Sequence, residues 1–140
     1  MNPSQRTVVA VPIELRLRVP QQQVLPLPVQ LQYGSDDPYA VSVAFQGPDE
    51  IVTWVFARDL LAEGLLQPRG EGDVTVRPEM GETGEVLVIG LASPDGEAEL
   101  EADAADVRDF LARTERVMPR GQEHTVIDLD AELALLLSGY

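Results

Sequence analysis

The 140-residue chain has no cysteine, no lysine and a single histidine, His124. Without cysteine it can hold no disulfide framework, thiol nucleophile, zinc finger or iron–sulfur cluster. Without lysine it has no P-loop amine, no Schiff base and no protein-kinase lysine. One imidazole leaves little for a catalytic triad or a metal site. Aromatic residues make up only 5%, and Trp54 is the sole tryptophan. No apolar run reaches the roughly 18 residues that cross a bilayer, and no basic-then-apolar leader precedes the first patterned segment. These gaps point away from catalysis and cofactor chemistry and toward a chain that works by contact.

Positive charge is scarce as well. Ten arginines face 24 acids, for a net charge of −14. Residues 1–48 are neutral, with three arginines and three acids, so the remaining 92 residues carry the whole excess. Such a surface repels nucleic-acid phosphates and anionic headgroups. No nucleic acid is expected as a partner, and direct contact with an anionic membrane is disfavoured.

What the sequence does have is alternation. Val9, Val11, Ile13, Leu15, Leu17 and Val19 alternate with a face ending in Glu14, Arg16 and Arg18. That pattern predicts a half-buried strand. Leu25, Leu27, Val29, Leu31 and Tyr33 repeat it, although Pro26 and Pro28 predict a sheet edge or a strand regular only after Pro28. Tyr39 to Phe45 alternates again, and Gln46-Gly47-Pro48-Asp49 closes a hairpin. A short strand is expected over Asp73–Arg77 and another over Glu97–Ala102. Residues 79–85, with two glycines and three glutamates, read as a mobile loop.

Two segments, Ile51–Ala57 and Val86–Leu91, are apolar on both faces. Strands of that kind need cover on each side, which predicts burial against a second subunit. Asp59 is positioned to cap a short helix over Leu60–Glu63, ended by Gly64 in the left-handed conformation. Asp103 is positioned to cap another, whose Val107, Phe110, Leu111, Thr114 and Val117 form one stripe. Asp128 starts a last helix striped by Leu129, Leu133, Leu136 and Leu137. The expected fold is a single α+β domain over residues 1–140. Its core is a mainly antiparallel, barrel-like sheet, with a short mid-chain helix and two C-terminal helices.

Chemical motifs are weak. Asp128-x-Asp130-x-Glu132 opens like a calcium loop, but the sixth and twelfth positions are Leu133 and Gly139, so a helix cap accounts for it better. His124 beside Glu123 lacks a second imidazole and reads as a loop histidine. Gly70-Glu71-Gly72 is a turn rather than a dinucleotide fingerprint. Arg16 and Arg18 could touch a single nucleic-acid strand, but Glu14 beside them favours a solvated face. A carboxylate-pair hydrolase is the third reading, for which no pair of acids stands out.

Six segments then carry a likeness. Asp37-Pro38-Tyr39-Ala40-Val41, the eleven residues from Trp54 to Gly64, Gly72-Asp73-Val74 and Ser93-Pro94-x-Gly96-x-Ala98 resemble the SsgA-like sporulation and cell-division family. Phe110-Leu111-x-Arg113-Thr114 and Asp128-Leu129-Asp130-x-Glu132-Leu133 continue it, and within the family the chain resembles the SsgB branch. The resemblance implies a non-enzymatic regulator of septation, cytoplasmic and placed at the division septum. It implies recruitment or positioning of the tubulin-like protein FtsZ together with related family members. It further implies a homotrimer with a Whirly-like fold, without the nucleic-acid binding of Whirly proteins, which is the alternative function. Because FtsZ proteins are acidic, the contact is expected to be apolar or centred on arginines. Trp54, Arg58 and Arg69 are the candidate partner-binding residues. No catalytic, cofactor-binding or metal-ligating residue is expected.

Overall fold

The computed structural model describes residues 7–19, 24–94 and 96–124. Within them the chain makes four strands and a helix, then repeats that sequence of elements. The first half is β1 (Val8–Arg18), β2 (Val24–Gly34), β3 (Ala40–Gln46), β4 (Ile51–Ala57) and α1 (Arg58–Gly64). The second is β5 (Arg69–Glu71), β6 (Val74–Gly81), β7 (Gly84–Ser93), β8 (Gly96–Asp103) and α2 (Ala104–Val117). All eight strands form one antiparallel sheet in the order β4-β3-β2-β1-β8-β7-β6-β5. The order is that of an up-and-down meander whose first and last strands meet. The sheet is open between β4 and β5, which α1 connects.

The alternating residues point as their period requires. Leu15, Val29, Leu31, Tyr33, Val41, Val43, Leu87, Leu100 and Ala102 line the inner face and are all buried. Leu60 and Leu61 of α1, with Val107, Phe110 and Leu111 of α2, cover that face. At about 25 cal/mol per Å² of apolar surface removed from water, this single cluster is the main stabilising term. The last predicted helix, 128–137, lies outside the described residues, as do Asp128, Asp130 and Glu132.

The structure corrects four expectations. Residues 79–85 are not a mobile loop. β6 runs on through Pro78 to Gly81, and Glu82-Thr83 turns into β7 with Gly84 at φ 135°. Gly64 is not left-handed but sits inside α1, where an added Cβ would lie 2.3 Å from Val76 Cγ2. Glycine is there for close packing. The N-cap of α1 is Ala57, and Asp59 lies in the first turn, where its carboxylate accepts from Arg120 Nε at 2.9 Å. Val86–Ile89 is buried on both faces without a second subunit. Arg77 of β6 reaches over β7 to Glu99 of β8, and Arg18 of β1 reaches Glu79 of β6, so charged side chains with long apolar stems roof Val88.

The in-strand prolines follow one rule. The bond from Ser35 N–H to Thr7 C=O fixes odd β2 residues as those bonded to β1, so even ones face β3. Pairing of β2 with β3 covers only Gln30–Gln32, and Pro26 and Pro28 lie beyond it. Even β1 residues face β8, which pairs only Leu15–Arg18; Pro12 lies beyond that. The bond from Ala92 N–H to Asp73 C=O likewise turns Pro78 toward β5, past the end of its pairing at Val76. Each proline therefore removes an N–H that would point at an unpaired edge. This is why β2 is regular from Val24, although it carries two prolines.

Candidate functional site

The three predicted partner-contact residues do not converge. Trp54 lies on the inner face of β4, partly buried, with its ring centroid 4.8 Å from that of Phe45 at a 58° tilt. Arg69 is exposed on β5 and stands 3.8 Å from Glu63. Arg58 is wholly buried, so in this structure it meets no partner directly. It follows β4 on an inward-facing position and starts α1, which carries its guanidinium into the interior.

Arg58 is the hub of a clamp that sequence reasoning missed. Its Nη1 donates to the Met118 carbonyl at 2.7 Å and to Thr114 Oγ1 at 3.3 Å, and Nη2 donates to Glu123 Oε2 at 3.0 Å. The guanidinium carbon stands 4.8 Å over the Tyr33 ring, and the Tyr33 hydroxyl donates to the Pro38 carbonyl. Glu123 is 3% exposed, and its second oxygen accepts the Gly121 N–H at 2.7 Å. Burial pushes the Glu123 carboxyl up, but bonds from backbone N–H groups and Arg58 outweigh it and hold the group below the usual carboxylate range. Burial raises the Tyr33 hydroxyl above its ordinary value. Nε of Arg58 meets no acceptor among the described residues. The signal in the sequence is Glu123 itself, an acid beside the exposed His124.

The outer face of the sheet holds the remaining arginine cluster. Arg16 Nε donates to Glu101 at 3.0 Å and its Nη2 to Asp103 at 2.8 Å. Arg18 Nη2 donates to Glu101 at 2.8 Å and to Glu79 at 3.1 Å. The Glu101 carboxyl is pushed up by burial and pulled further down by Arg18 and Arg16, ending below its ordinary value. Both guanidiniums that could have met a nucleic-acid backbone are thus occupied by carboxylates. Among the described residues, no three His, Cys, Asp or Glu side chains are grouped to hold a metal ion. An open depression of about 280 Å³ lies beside Tyr33, Asp36, Asp37 and Ser42.

A contact surface of a different kind appears at β4. Arg58 N–H donates to the Tyr39 carbonyl and Gly47 N–H to that of Glu50, so even-numbered β4 residues exchange bonds with β3. Ile51, Thr53 and Val55 therefore direct their N–H and C=O groups away from the sheet. Their side chains occupy the outer face, with Ile51 66% and Val55 62% exposed.

Comparison with known proteins places this geometry in context. The family described as Streptomyces sporulation and cell division protein, SsgA, matches residues 27–123. The sporulation-specific cell division protein SsgB of Kineococcus radiotolerans is 49% identical over 138 residues, covering 97% of this chain and 84% of that protein. SsgB of Streptomyces coelicolor is 49% identical over 133 residues, covering 94% and 97%. The crystal structure of the SsgA-like sporulation-specific cell division protein from Thermobifida fusca superposes with a TM-score of 0.85 at 42% identity, covering 96% of this chain and 98% of that one. A second solved chain, from work correlating SsgB mutations with longitudinal cell division in sporulating S. coelicolor, gives 0.84 at 47% identity, covering 89% and 99%.

Proposed function

This chain belongs to the SsgA family of sporulation and cell-division proteins, and on that premise we propose that it acts by protein contact, without catalysis, to recruit or position FtsZ at septation sites. The match to SsgB proteins along more than nine-tenths of the chain carries this reading. It is a cytoplasmic protein of the division septum in this account, assembled as a homotrimer. Four strands and a helix, given twice around one curled sheet, support the Whirly-like description.

The surface supports contact through apolar and backbone groups. Arg58 is enclosed and Arg16 and Arg18 are paired, so none of these three arginines stands free to draw an acidic partner. Exposed apolar residues on β4, by contrast, lose little when salt is added. The test is capture of purified FtsZ by the full chain at low and moderate salt. Capture that persists across both supports the reading. No capture at either overturns FtsZ as partner, and a steep fall with salt overturns the apolar contact.

A further inference from the structure

We propose that the free edge of β4 is a strand-addition site for an extended, β-branched peptide segment flanked by lysine or arginine. This rests on the protein-contact reading above and names the surface and the class of partner segment.

The first ground is backbone geometry. β4 ends the sheet, and the N–H and C=O groups of Ile51, Thr53 and Val55 point outward, away from β3. They bond to no other backbone group among the described residues. An extended chain laid along this edge would exchange bonds with these residues in alternation, as in other strand-addition complexes. The same residues put their side chains on the outer face, so the added strand gains apolar contacts beside Ile51 and Val55.

The second ground is contrast. Natural sheets blunt open edges with prolines, charges or very short strands. This chain does so elsewhere: Pro12, Pro26, Pro28 and Pro78 each delete an edge-facing N–H, and the opposite edge strand, β5, is the three-residue Arg69-Gly70-Glu71. β4 reads Ile-Val-Thr-Trp-Val-Phe-Ala, with no charge, no proline and no glycine in seven residues. A chain that blunts its other exposed strand segments leaves this one in pairing condition.

Charge selects the occupant. Asp49 and Glu50, exposed at the start of β4, make no ion pair among the described residues. A cationic residue at the end of an incoming strand would meet them. A second copy fits less well. Antiparallel β4–β4 pairing centred on Thr53 sets Ile51 opposite Val55 and leaves Asp49 and Glu50 opposite Ala57 and Phe56 of the second copy, with no cation to meet them. Both acids would stay unpaired at each end of such a pairing, whereas a lysine or arginine on a partner segment would meet them.

The edge also offers a clean test. Proline at position 53 removes an outward N–H while leaving the β3 ladder intact, since Thr53 bonds away from β3. Valine at 53 keeps the N–H. The probe is a short fluorescent peptide of alternating valine and threonine, with lysine at both ends in one version and glutamate in the other. Anisotropy is measured against wild type, Thr53→Pro and Thr53→Val, with circular dichroism and thermal unfolding to confirm that each variant folds. Wild type and Thr53→Val should bind the lysine-ended probe, and Thr53→Pro should bind it about tenfold more weakly or worse. The glutamate-ended probe should bind wild type several-fold more weakly than its counterpart at low salt, about the effect of one or two exposed charge pairs.

Equal binding by Thr53→Pro, or no binding of either probe to wild type, overturns the inference. So does self-association of wild type that Thr53→Pro abolishes without any peptide binding, which would assign the edge to a second copy. Wild-type capture of FtsZ that Thr53→Pro leaves unchanged would sink the edge as the working contact and spare the proposed function. Failure of FtsZ capture by wild type, with the probe still bound, would do the reverse.

Discussion

Replacing Glu123 with alanine should destabilise the protein far more than its place after the last described helix suggests. The substitution removes the anion that faces a fully enclosed guanidinium, and it also strips the Gly121 N–H of its acceptor. Removing one partner of a buried ion pair costs about 3–5 kcal/mol, because the other charge stays desolvated. Arg58 keeps the Met118 carbonyl, the Thr114 hydroxyl and the face of Tyr33, which argues for the lower end, about 3 kcal/mol. For a domain of this length that is a fall in Tm on the order of 10 °C. The assay is chemical and thermal unfolding of Glu123→Ala, Arg58→Met and the double variant Arg58→Met/Glu123→Ala. Because the double variant buries no lone charge, it should be clearly more stable than the sum of the single losses predicts, with a coupling of about 2 kcal/mol. Acid supplies a second reading of the same contact. The Glu123 carboxyl titrates below its ordinary value near 4.5, so its contribution is full above that pH and is lost as pH falls through the lowered folded value. The gap between wild type and Glu123→Gln should therefore narrow in acid. A Glu123→Ala variant within about 0.5 kcal/mol of wild type, the range of ordinary surface changes, would refute a closed clamp.

Two further substitutions probe the packing and the outer face. Gly64→Ala should destabilise by about 1–3 kcal/mol in urea unfolding, since the new methyl lands against Val76, and adding Val76→Ala should recover part of the loss. Glu101→Gln should cost about 1–2 kcal/mol at neutral pH, because Glu101 accepts from both Arg16 and Arg18 while 14% exposed. Its carboxyl is depressed in the folded state, so that deficit should close as pH drops below the ordinary carboxylate range, as followed by thermal melts from neutral pH into acid.

The strands were legible because a two-residue period is a local property. Val9 to Leu17, Leu25 to Tyr33 and Val41 to Phe45 show which side is wet without reference to any other strand. The stripe of α2 was legible for the same reason, and Asp103 does sit at its N-cap, although its carboxylate accepts from Arg16 instead of a backbone N–H. What escaped depends on residues far apart in the chain. Nothing local marks Arg58 as interior: arginine is usually exposed, and the residues that enclose it are Tyr33 of β2, Thr114 and Met118 at the end of α2, and Glu123 in the turn beyond. Val86–Ile89, apolar on both faces, predicts a second subunit because a chain of this length has few helices to cover it. In the fold the stems of arginine and glutamate side chains lie flat across β7 and supply the missing cover. A glycine at a helix end suggests turn chemistry, whereas Gly64 packs against Val76 of β6, which no local pattern links to it.

Proline shows how these two levels join. In one dimension Pro12, Pro26, Pro28 and Pro78 weaken the case for a strand. Once the register is known, each turns out to sit where a ladder has already ended and to face away from the strand it still pairs with. Such residues are marks of edge control, and their distribution carries information that their number does not. It shows that the unblunted row at Ile51, Thr53 and Val55 is a local exception within a chain that otherwise closes its edges. Exceptions to a rule kept elsewhere in the same sheet are where function is expected to override solubility. The hydrogen-bonding row on β4 is therefore a better starting point for locating the partner than any single exposed side chain, Arg69 included.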